Sequence, residues 1–175
     1  MPPASSRLLE RSLTEEIRFG RPADQVKVFV SAKMSDHSLV QERKAAIKEI
    51  DALPPHTAWA WEKNAAAGPY YSLRVCVSNA RTSEALILIV ADELTEPTKK
   101  EYTAAKHAKV PRFIFLKQGV SRTTELSAFI ERERKTAITA PFRNLSELRT
   151  QIRYSLQSYT ADLYRSSILA ARGLL

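Results

Sequence analysis

The stretch that decides the fold is VKVFVSAKMSDHSLVQER, residues 26–43. Its opening is rich in β-branched and aromatic residues and predicts a strand over residues 26–31. A short polar loop follows and closes at Asp36, from which an amphipathic helix is expected to run to residue 53. In open α/β sheets, ligands bind outside the carboxyl ends of the strands. The loop at residues 31–36 is therefore the first candidate site.

The chain beyond this stretch keeps alternating strands with helices. Strands are predicted over residues 57–61, 85–90, 112–116 and, more weakly, 137–140, with helices over 69–82, 98–108 and 122–134. The run ALILIV at residues 85–90 has no polar alternation, which is typical of a parallel strand buried on both faces. The pattern predicts a doubly wound α/β sheet of about five parallel strands.

Both ends of the sequence differ from this α/β pattern. Residues 1–24 are expected to form an N-terminal helical arm, residues 25–143 the α/β domain, and residues 144–175 a long C-terminal helix. The apolar stripe of the last helix continues beyond the usual length of a domain helix. Its second half is interpreted as a contact with a partner chain, the arm or a fused module, or alternatively as a capping helix of a monomer.

Composition excludes several classes of protein. No apolar run approaches the roughly 20 residues of a membrane span, and residues 1–24 contain no apolar signal core. Cys76 is the single cysteine, so a reducing, cytoplasmic setting is expected, and its apolar helical context favours a buried, unreactive thiol. Three histidines and one cysteine form no metal-binding spacing, so neither a metal nor a cofactor is predicted.

The net charge of +8 raises the possibility of nucleic-acid binding. The basic residues are dispersed and often alternate with glutamates, as in ERERK at residues 131–135, a pattern typical of a solvated helix face. No helix-turn-helix, zinc-finger or RRM signature is present. An anionic ligand or partner remains compatible with this charge, whereas sequence-specific binding of DNA is not expected.

The loops after the first three predicted strands meet at one edge of the sheet. They bring Glu62, Asp92 and Glu101 into one crevice with the hydroxyls of Ser31 and Thr95. Clustered carboxylates suit a reaction that develops positive charge, such as the oxocarbenium ion of N-glycosidic cleavage. No Ser/His/Asp triad, Walker loop or GxGxxG motif is present.

Each of these residues also has a structural interpretation. TKKE at residues 98–101 reads as a capping box, in which Glu101 bonds back to the start of its helix. Asp36 is a possible N-cap, Glu62 and Asp92 possible ends of strands, and Arg43 either a surface residue or the partner of a carboxylate.

The sequence resembles a bacterial family of uncharacterised domains that opens with VFISSTxxDLxxERxAAI. Further matches are Trp61-Glu62, the strand ALILIV, and Thr98 to Tyr102 with Ala105, which fit T-x-x-E-[YF]-x-x-A. The resemblance covers residues 26–117. That family is similar to nucleoside 2-deoxyribosyltransferases and, more distantly, to toll/interleukin-receptor-like (TIR-like) domains. It implies a flavodoxin-like fold that acts on the N-glycosidic bond of a nucleoside, a nucleotide or NAD, in bacterial signalling or defence.

The resemblance also implies roles for individual residues. Glu101 becomes the nucleophile or charge stabiliser, and Ser31, Asp36 and Glu62 shape the pocket. Glu62 is also predicted as the second catalytic carboxylate. The predicted substrate-binding residues are Ser31, Lys33, Asp36, Arg43, Asp92, Thr95, Thr98 and Tyr102.

This chain departs from the family pattern at Ala32 and Lys33 and in the acidic, glycine-free loop at residues 92–97. Such a loop approaches a phosphate poorly unless Lys33, Lys99 or Lys100 compensates. The alternative is therefore a non-catalytic signalling or scaffold module that assembles through its terminal helices, as a homo-oligomer or with a fused or neighbouring effector.

Overall fold

The computed structural model describes residues 13–20, 22, 24–69 and 71–175. The strands are β1 (Val26–Ala32), β2 (His56–Trp59), β3 (Ala85–Val90), β4 (Arg112–Lys117) and β5 (Thr139–Phe142). The helices are α1 (Leu13–Phe19), α2 (Val40–Asp51), α3 (Trp61–Asn64), α4 (Ser72–Thr82), α5 (Glu96–His107), α6 (Thr124–Glu133) and α7 (Leu145–Ala171).

The five strands form one parallel sheet in the order β2-β1-β3-β4-β5. This is the flavodoxin-like order, so the predicted doubly wound α/β fold is confirmed. The strand order reverses between β1 and β3, which pair from Val28 with Ala85 to Ala32 with Ile89. A crevice opens at such a switch point because the neighbouring connections leave toward opposite faces of the sheet.

Two hydrophobic layers cover the sheet. On one face, Val28, Val30 and Ile87 pack with residues of α2 and α7, and on the other, Phe29 and Leu88 pack with residues of α4, α5 and α6. All six residues of β3 are buried, which explains why its sequence lacks alternation. The rigid sheet fixes the ends of β1 and β3, from which the candidate site is built.

Some element boundaries differ from the prediction. Residues Ser35–His37 form a 3-10 turn, in which His37 has a φ of 60°, and α2 begins only at Val40. The predicted N-cap at Asp36 is therefore not the start of α2. Helix α5 begins at Glu96 rather than Thr98, because Pro97 is accommodated in the first helical turn.

The two terminal helices pack on opposite faces of the sheet. Helix α1 lies beside α4, whereas the predicted arm residues 1–12 lie outside the described residues. Helix α7 is continuous over 27 residues, and its first half buries Leu148, Ile152 and Leu156. Beyond residue 161 every residue of α7 is exposed. None of the described helices has the length and apolar character needed to cross a membrane.

Buried ion pairs connect α7 to α2. Glu49 is fully buried and accepts hydrogen bonds from Arg149 Nε at 2.9 Å and Arg153 Nε at 2.7 Å. Burial alone would raise the pKa of Glu49, but the bonds from the two arginines hold it below its usual value. The pairs fix the orientation of the first half of α7 on the sheet.

Candidate functional site

A pocket of about 430 Å³ lies outside the carboxyl end of β1, at the switch point of the sheet. This volume is in the range of small-molecule sites. We call it the crevice. Its lining is Ala32, Met34, Ser35, Trp61, Tyr71, Ser72, Leu73, Cys76, Thr95, Pro97, Thr98 and Glu101.

Glu101 is the charged group of this lining. It lies in the second turn of α5, where a helical side chain leans toward the start of its helix and so toward β1. Ser31, at the end of β1, donates a hydrogen bond from Oγ to Oε2 of Glu101 at 2.5 Å. Burial raises the pKa of Glu101 to about 7, although the hydrogen bonds from Ser31 and Cys76 act to lower it. The carboxyl group is therefore able to lose or hold a proton near neutral pH.

The surroundings of Glu101 differ from those of the other buried carboxylates. Among the described residues, Glu42 pairs with Lys117 at 2.6 Å, Glu49 with two arginines, and Glu133 with Lys106 at 2.8 Å. Glu101 has only the neutral donors Ser31 and Cys76. A buried carboxylate without a cation is costly, so its retention in a pocket points to a functional group.

The capping-box interpretation of Glu101 is wrong. Because α5 begins at Glu96, Glu101 lies too far along the helix to bond back to its first backbone amides. Thr98 instead shares a hydrogen bond with the hydroxyl of Thr95 at 2.9 Å, and the carboxylate of Glu101 crosses to β1.

Sequence reasoning missed Cys76 as a partner of Glu101. The thiol is buried in α4, and burial followed by the charge of Glu101 raises its pKa to about 12. It is therefore a neutral hydrogen-bond donor at physiological pH. No local pattern indicates this contact, because it depends on how α4 packs against α5.

Lys33 and Asp92 lie together at the ends of β1 and β3, beside the crevice. The ammonium group of the buried Lys33 contacts Asp92 Oδ2 at 3.1 Å and Glu93 Oε1 at 2.7 Å. Burial acts to raise the pKa of Asp92, but the hydrogen bond and charge of Lys33, together with bonds from backbone amides, hold this pKa below its usual value. The Lys33 ammonium is thus shared between two carboxylates, and the cluster formed by these three residues keeps a net negative charge.

Arg43 and Glu62 form a second pair on the other side of β1. Arg43 is buried rather than exposed, and its Nε donates to Glu62 Oε1 at 2.8 Å while Nη1 donates to the carbonyl of Lys33 at 2.8 Å. Arg43 thus orients a carboxylate and also holds the loop after β1. Glu62 follows Trp61, which lines the crevice, but it does not line the crevice itself.

The remaining predicted site residues separate into three groups. Thr95 and Thr98 line the crevice at the start of α5. Tyr102 lies elsewhere, since its hydroxyl donates to Glu133 Oε2 at 2.7 Å and its ring packs edge-on against Phe129. The side chain of Asp36 lies outside the described residues. In the described part of the chain, no cluster of three or more His, Cys, Asp or Glu residues has the arrangement of a metal site.

Comparison with known proteins identifies a family and one similar fold. A family model described as "Domain of unknown function (DUF4062)" matches residues 27–157. A conserved protein from Enterococcus faecalis V583, known as a crystal structure, superposes with a TM-score of 0.52 at 10% identity, over 75% of this chain and 99% of that protein. The metal-soaked Flv1 flavodiiron core from Synechocystis sp. PCC6803 has a TM-score of 0.46 at 12% identity, over 88% of this chain and 40% of that one. No curated protein matches the sequence.

Proposed function

The chain belongs to the DUF4062 family of domains of unknown function, so its function has to be inferred from the crevice. We propose that the protein binds a nucleoside or nucleotide in the crevice and acts on the N-glycosidic bond of this ligand. The observation that carries this proposal is Glu101, a buried carboxylate at the switch point whose partners are all neutral. Such a group stabilises the positive charge that develops at the anomeric carbon when the bond to the base breaks.

Other residues of the crevice support the same chemistry. Ser31 donates to Oε2 of Glu101 and so orients the carboxylate at the wall of the crevice. Trp61 and Tyr71 supply aromatic surface in the lining, which suits stacking against a planar base. Glu62, held by Arg43 at 2.8 Å, is the proposed second carboxylate and would contact the sugar hydroxyls at the edge of the crevice.

The proposed setting comes from the resemblance rather than from the geometry. Deoxyribosyltransferase-like and TIR-like domains suggest a role in bacterial signalling or defence, in the cytoplasm. NAD, nucleosides and nucleotides are all candidate substrates in that setting.

A screen for released base tests this function. Purified protein is incubated with nucleosides, nucleotides and NAD, and the free base or nicotinamide is measured by chromatography. Release by the wild type that is lost in Glu101→Gln supports the proposal. Glu131→Gln is the matched control, because it removes an exposed carboxylate of α6 whose ion pair, in the described part of the chain, is with the exposed Arg134. Equal release by wild type and Glu101→Gln contradicts a role for Glu101.

One observation favours a second candidate function, self-assembly of a non-catalytic module. The second half of α7 exposes Leu163, Tyr164 and Ile168, with 51%, 69% and 39% of their surface accessible. Asp162 and Arg165 pair with each other on the same segment, so it carries no net charge to repel a second copy. The proposed occupant of this segment is therefore the same helix of another molecule, and the solution mass of the full chain tests it.

A further inference from the structure

The crevice has an unusual charge pattern for a site that binds nucleotides. Among the described residues that line it, Glu101 is negatively charged and none is a lysine, an arginine or a histidine. Proteins hold phosphate groups with cationic side chains, or with backbone amides at glycine-rich loops and helix starts. The loop beside this crevice, residues 92–97, has no glycine and contributes three carboxylates. The starts of α4 and α5 line the crevice, but the first turn of α5 already carries the carboxylate of Glu96, which offsets the positive end of that helix.

Three cations in the neighbourhood of the crevice are engaged in ion pairs. Lys33 contacts both Asp92 and Glu93, and Arg43 contacts Glu62. Lys99 contacts Glu125 of α6 at 2.8 Å, away from the crevice. Lys100 is exposed on α5 and does not line the crevice. A phosphate that used Lys33 or Arg43 would have to break an internal ion pair, and in the crevice it would lie close to the carboxylate of Glu101.

The walls of the crevice favour the opposite charge. Trp61, Tyr71 and Met34 present two aromatic rings and a polarizable sulfur, all of which interact well with a flat cation. Glu101 supplies the negative charge in the lining of the same pocket. It has no lysine or arginine partner, in contrast to the other buried carboxylates of the described residues. A ligand with positive charge would complete this arrangement.

We propose that the crevice takes nucleosides whose base carries a fixed positive charge, such as N-ribosylpyridinium or N7-alkylpurine nucleosides, without a phosphate group. The inference rests on the proposed function and names its substrate class. Among nucleosides, nucleotides and NAD, the charges that line and surround the crevice favour nucleosides.

The chemistry of these substrates fits a crevice with one carboxylate. When the bond between the anomeric carbon and the ring nitrogen breaks, its electron pair neutralises the ring, and the base leaves without needing a proton. Glu101 stabilises the resulting oxocarbenium ion, water adds to the anomeric carbon, and one proton passes to the solvent. A neutral base would instead need a proton from an acid while Glu101 stays ionised, and the thiol of Cys76 is too weak an acid for this.

Binding of three small rings tests the charge preference without any reaction. Calorimetry compares 1-methylnicotinamide, a cation, with nicotinamide, which is neutral, and nicotinic acid, an anion at pH 8. We expect the cation to bind about tenfold more tightly than nicotinamide, and nicotinic acid to bind most weakly. Glu101→Gln should reduce the preference to less than about twofold, whereas Glu131→Gln should keep it. Equal or tighter binding of nicotinamide or nicotinic acid overturns the inference.

A second arm separates the inference from the proposed function. Base release is compared for nicotinamide riboside, nicotinamide mononucleotide and uridine. We expect release from the riboside to exceed that from the other two by at least about tenfold. Faster release from the mononucleotide or from uridine overturns the inference and leaves the proposed function standing. If no base is released from these three compounds or from any other N-glycoside tested, the proposed function is contradicted. The binding of the three small rings still decides the charge preference in that case.

Discussion

At the scale of single residues, the surroundings of Glu101 determine both the proposed activity and the pH dependence of stability. Its oxygens are buried between β1, α4 and α5, with the hydroxyl of Ser31 and the thiol of Cys76 as partners. Charged groups beyond this shell include Lys33, which contacts Asp92 and Glu93, and Arg43, which contacts Glu62. Within the described site, no cation contacts the ionised carboxylate of Glu101. The free-energy cost of ionising Glu101 in the folded state therefore lowers the stability of the fold.

Glu101→Gln is expected to stabilise the protein at neutral and alkaline pH. The pKa of Glu101 in the folded state, about 7, lies above the ordinary value of 4.5. Between these two pH values the folded chain keeps a proton on Glu101 that the unfolded chain has lost. Stability therefore falls as the pH rises from 4.5 to 7, and the full loss, roughly 3 kcal/mol, persists above pH 7. Urea denaturation at pH 4 and pH 8 measures it. A stability difference between variant and wild type that does not grow with pH would refute a buried, uncompensated carboxylate.

Ser31→Ala is expected to raise the pKa of Glu101 further. The substitution removes a hydrogen bond that favours the ionised form, so the pH range over which stability falls should move upward. The same denaturation series measures the shift. Ser72→Ala is the matched control, since Ser72 lines the crevice without a hydrogen bond to Glu101 in the structure. An unchanged range in Ser31→Ala would mean that Ser31 does not set the pKa of Glu101.

Sequence reasoning identified part of this site. Ser31 and Glu101 could be predicted from the sequence, because the end of a strand and the start of a helix leave a local sequence pattern. The capping-box interpretation failed because Pro97 moves the start of α5 to Glu96, which the sequence leaves undecided. Cys76 and the burial of Arg43 depend on packing between elements distant in sequence, and no local signal encodes them.

At the scale of elements, the parallel sheet was predictable and its details were not. The continuous apolar run of β3 and the strand–helix alternation specify the topology, because parallel strands need crossover helices. The 3-10 turn at Ser35–His37 was not predictable, since its sequence also suits the first turn of an α-helix. The path of α7 along α2 depends on the buried Leu148, Ile152 and Leu156 and on ion pairs across about 100 residues of sequence.

Glu49→Ala is expected to destabilise the fold by about 2 kcal/mol at pH 7, because two arginines lose a fully buried partner but keep partial access to water. The pKa of Glu49 is lowered in the folded state, so the stabilisation is present above the ordinary pKa and is lost as the pH falls through the lowered one. Urea denaturation measures the change. Asp162→Asn, on the exposed half of α7, serves as the control, and equal effects of the two substitutions would show that the α2–α7 pairs contribute no stability.

At the scale of the whole molecule, the body of the domain is packed on both faces and α7 projects from it. Tyr164, Ile168 and Ala171 share one face of the projecting part, since they are three or four residues apart, and Asp162 and Arg165 lie on another. The crevice is at the carboxyl edge of the sheet. The proposed cleavage site and the proposed assembly helix therefore lie on separate parts of the molecule.

Ile168→Glu is expected to weaken self-association, because it places a charge in the apolar face of the projecting helix. Analytical ultracentrifugation over a range of protein concentrations measures the change in mass. Ser166→Glu adds the same charge to the opposite, exposed face of the helix and should leave association intact. A wild type that is monomeric at every concentration rejects assembly through α7.

The pH dependence of base release tests the role of Glu101 most directly. The rate is measured from pH 5 to pH 9 with the best substrate of the screen, for wild type, Glu101→Gln and Glu131→Gln. The wild-type rate should rise through an apparent pKa of about 7, because the ionised carboxylate is the active form. Glu101→Gln should remain folded and lose at least about 100-fold in rate, with Glu131→Gln unchanged. A folded Glu101→Gln that releases base at the wild-type rate would contradict the assignment.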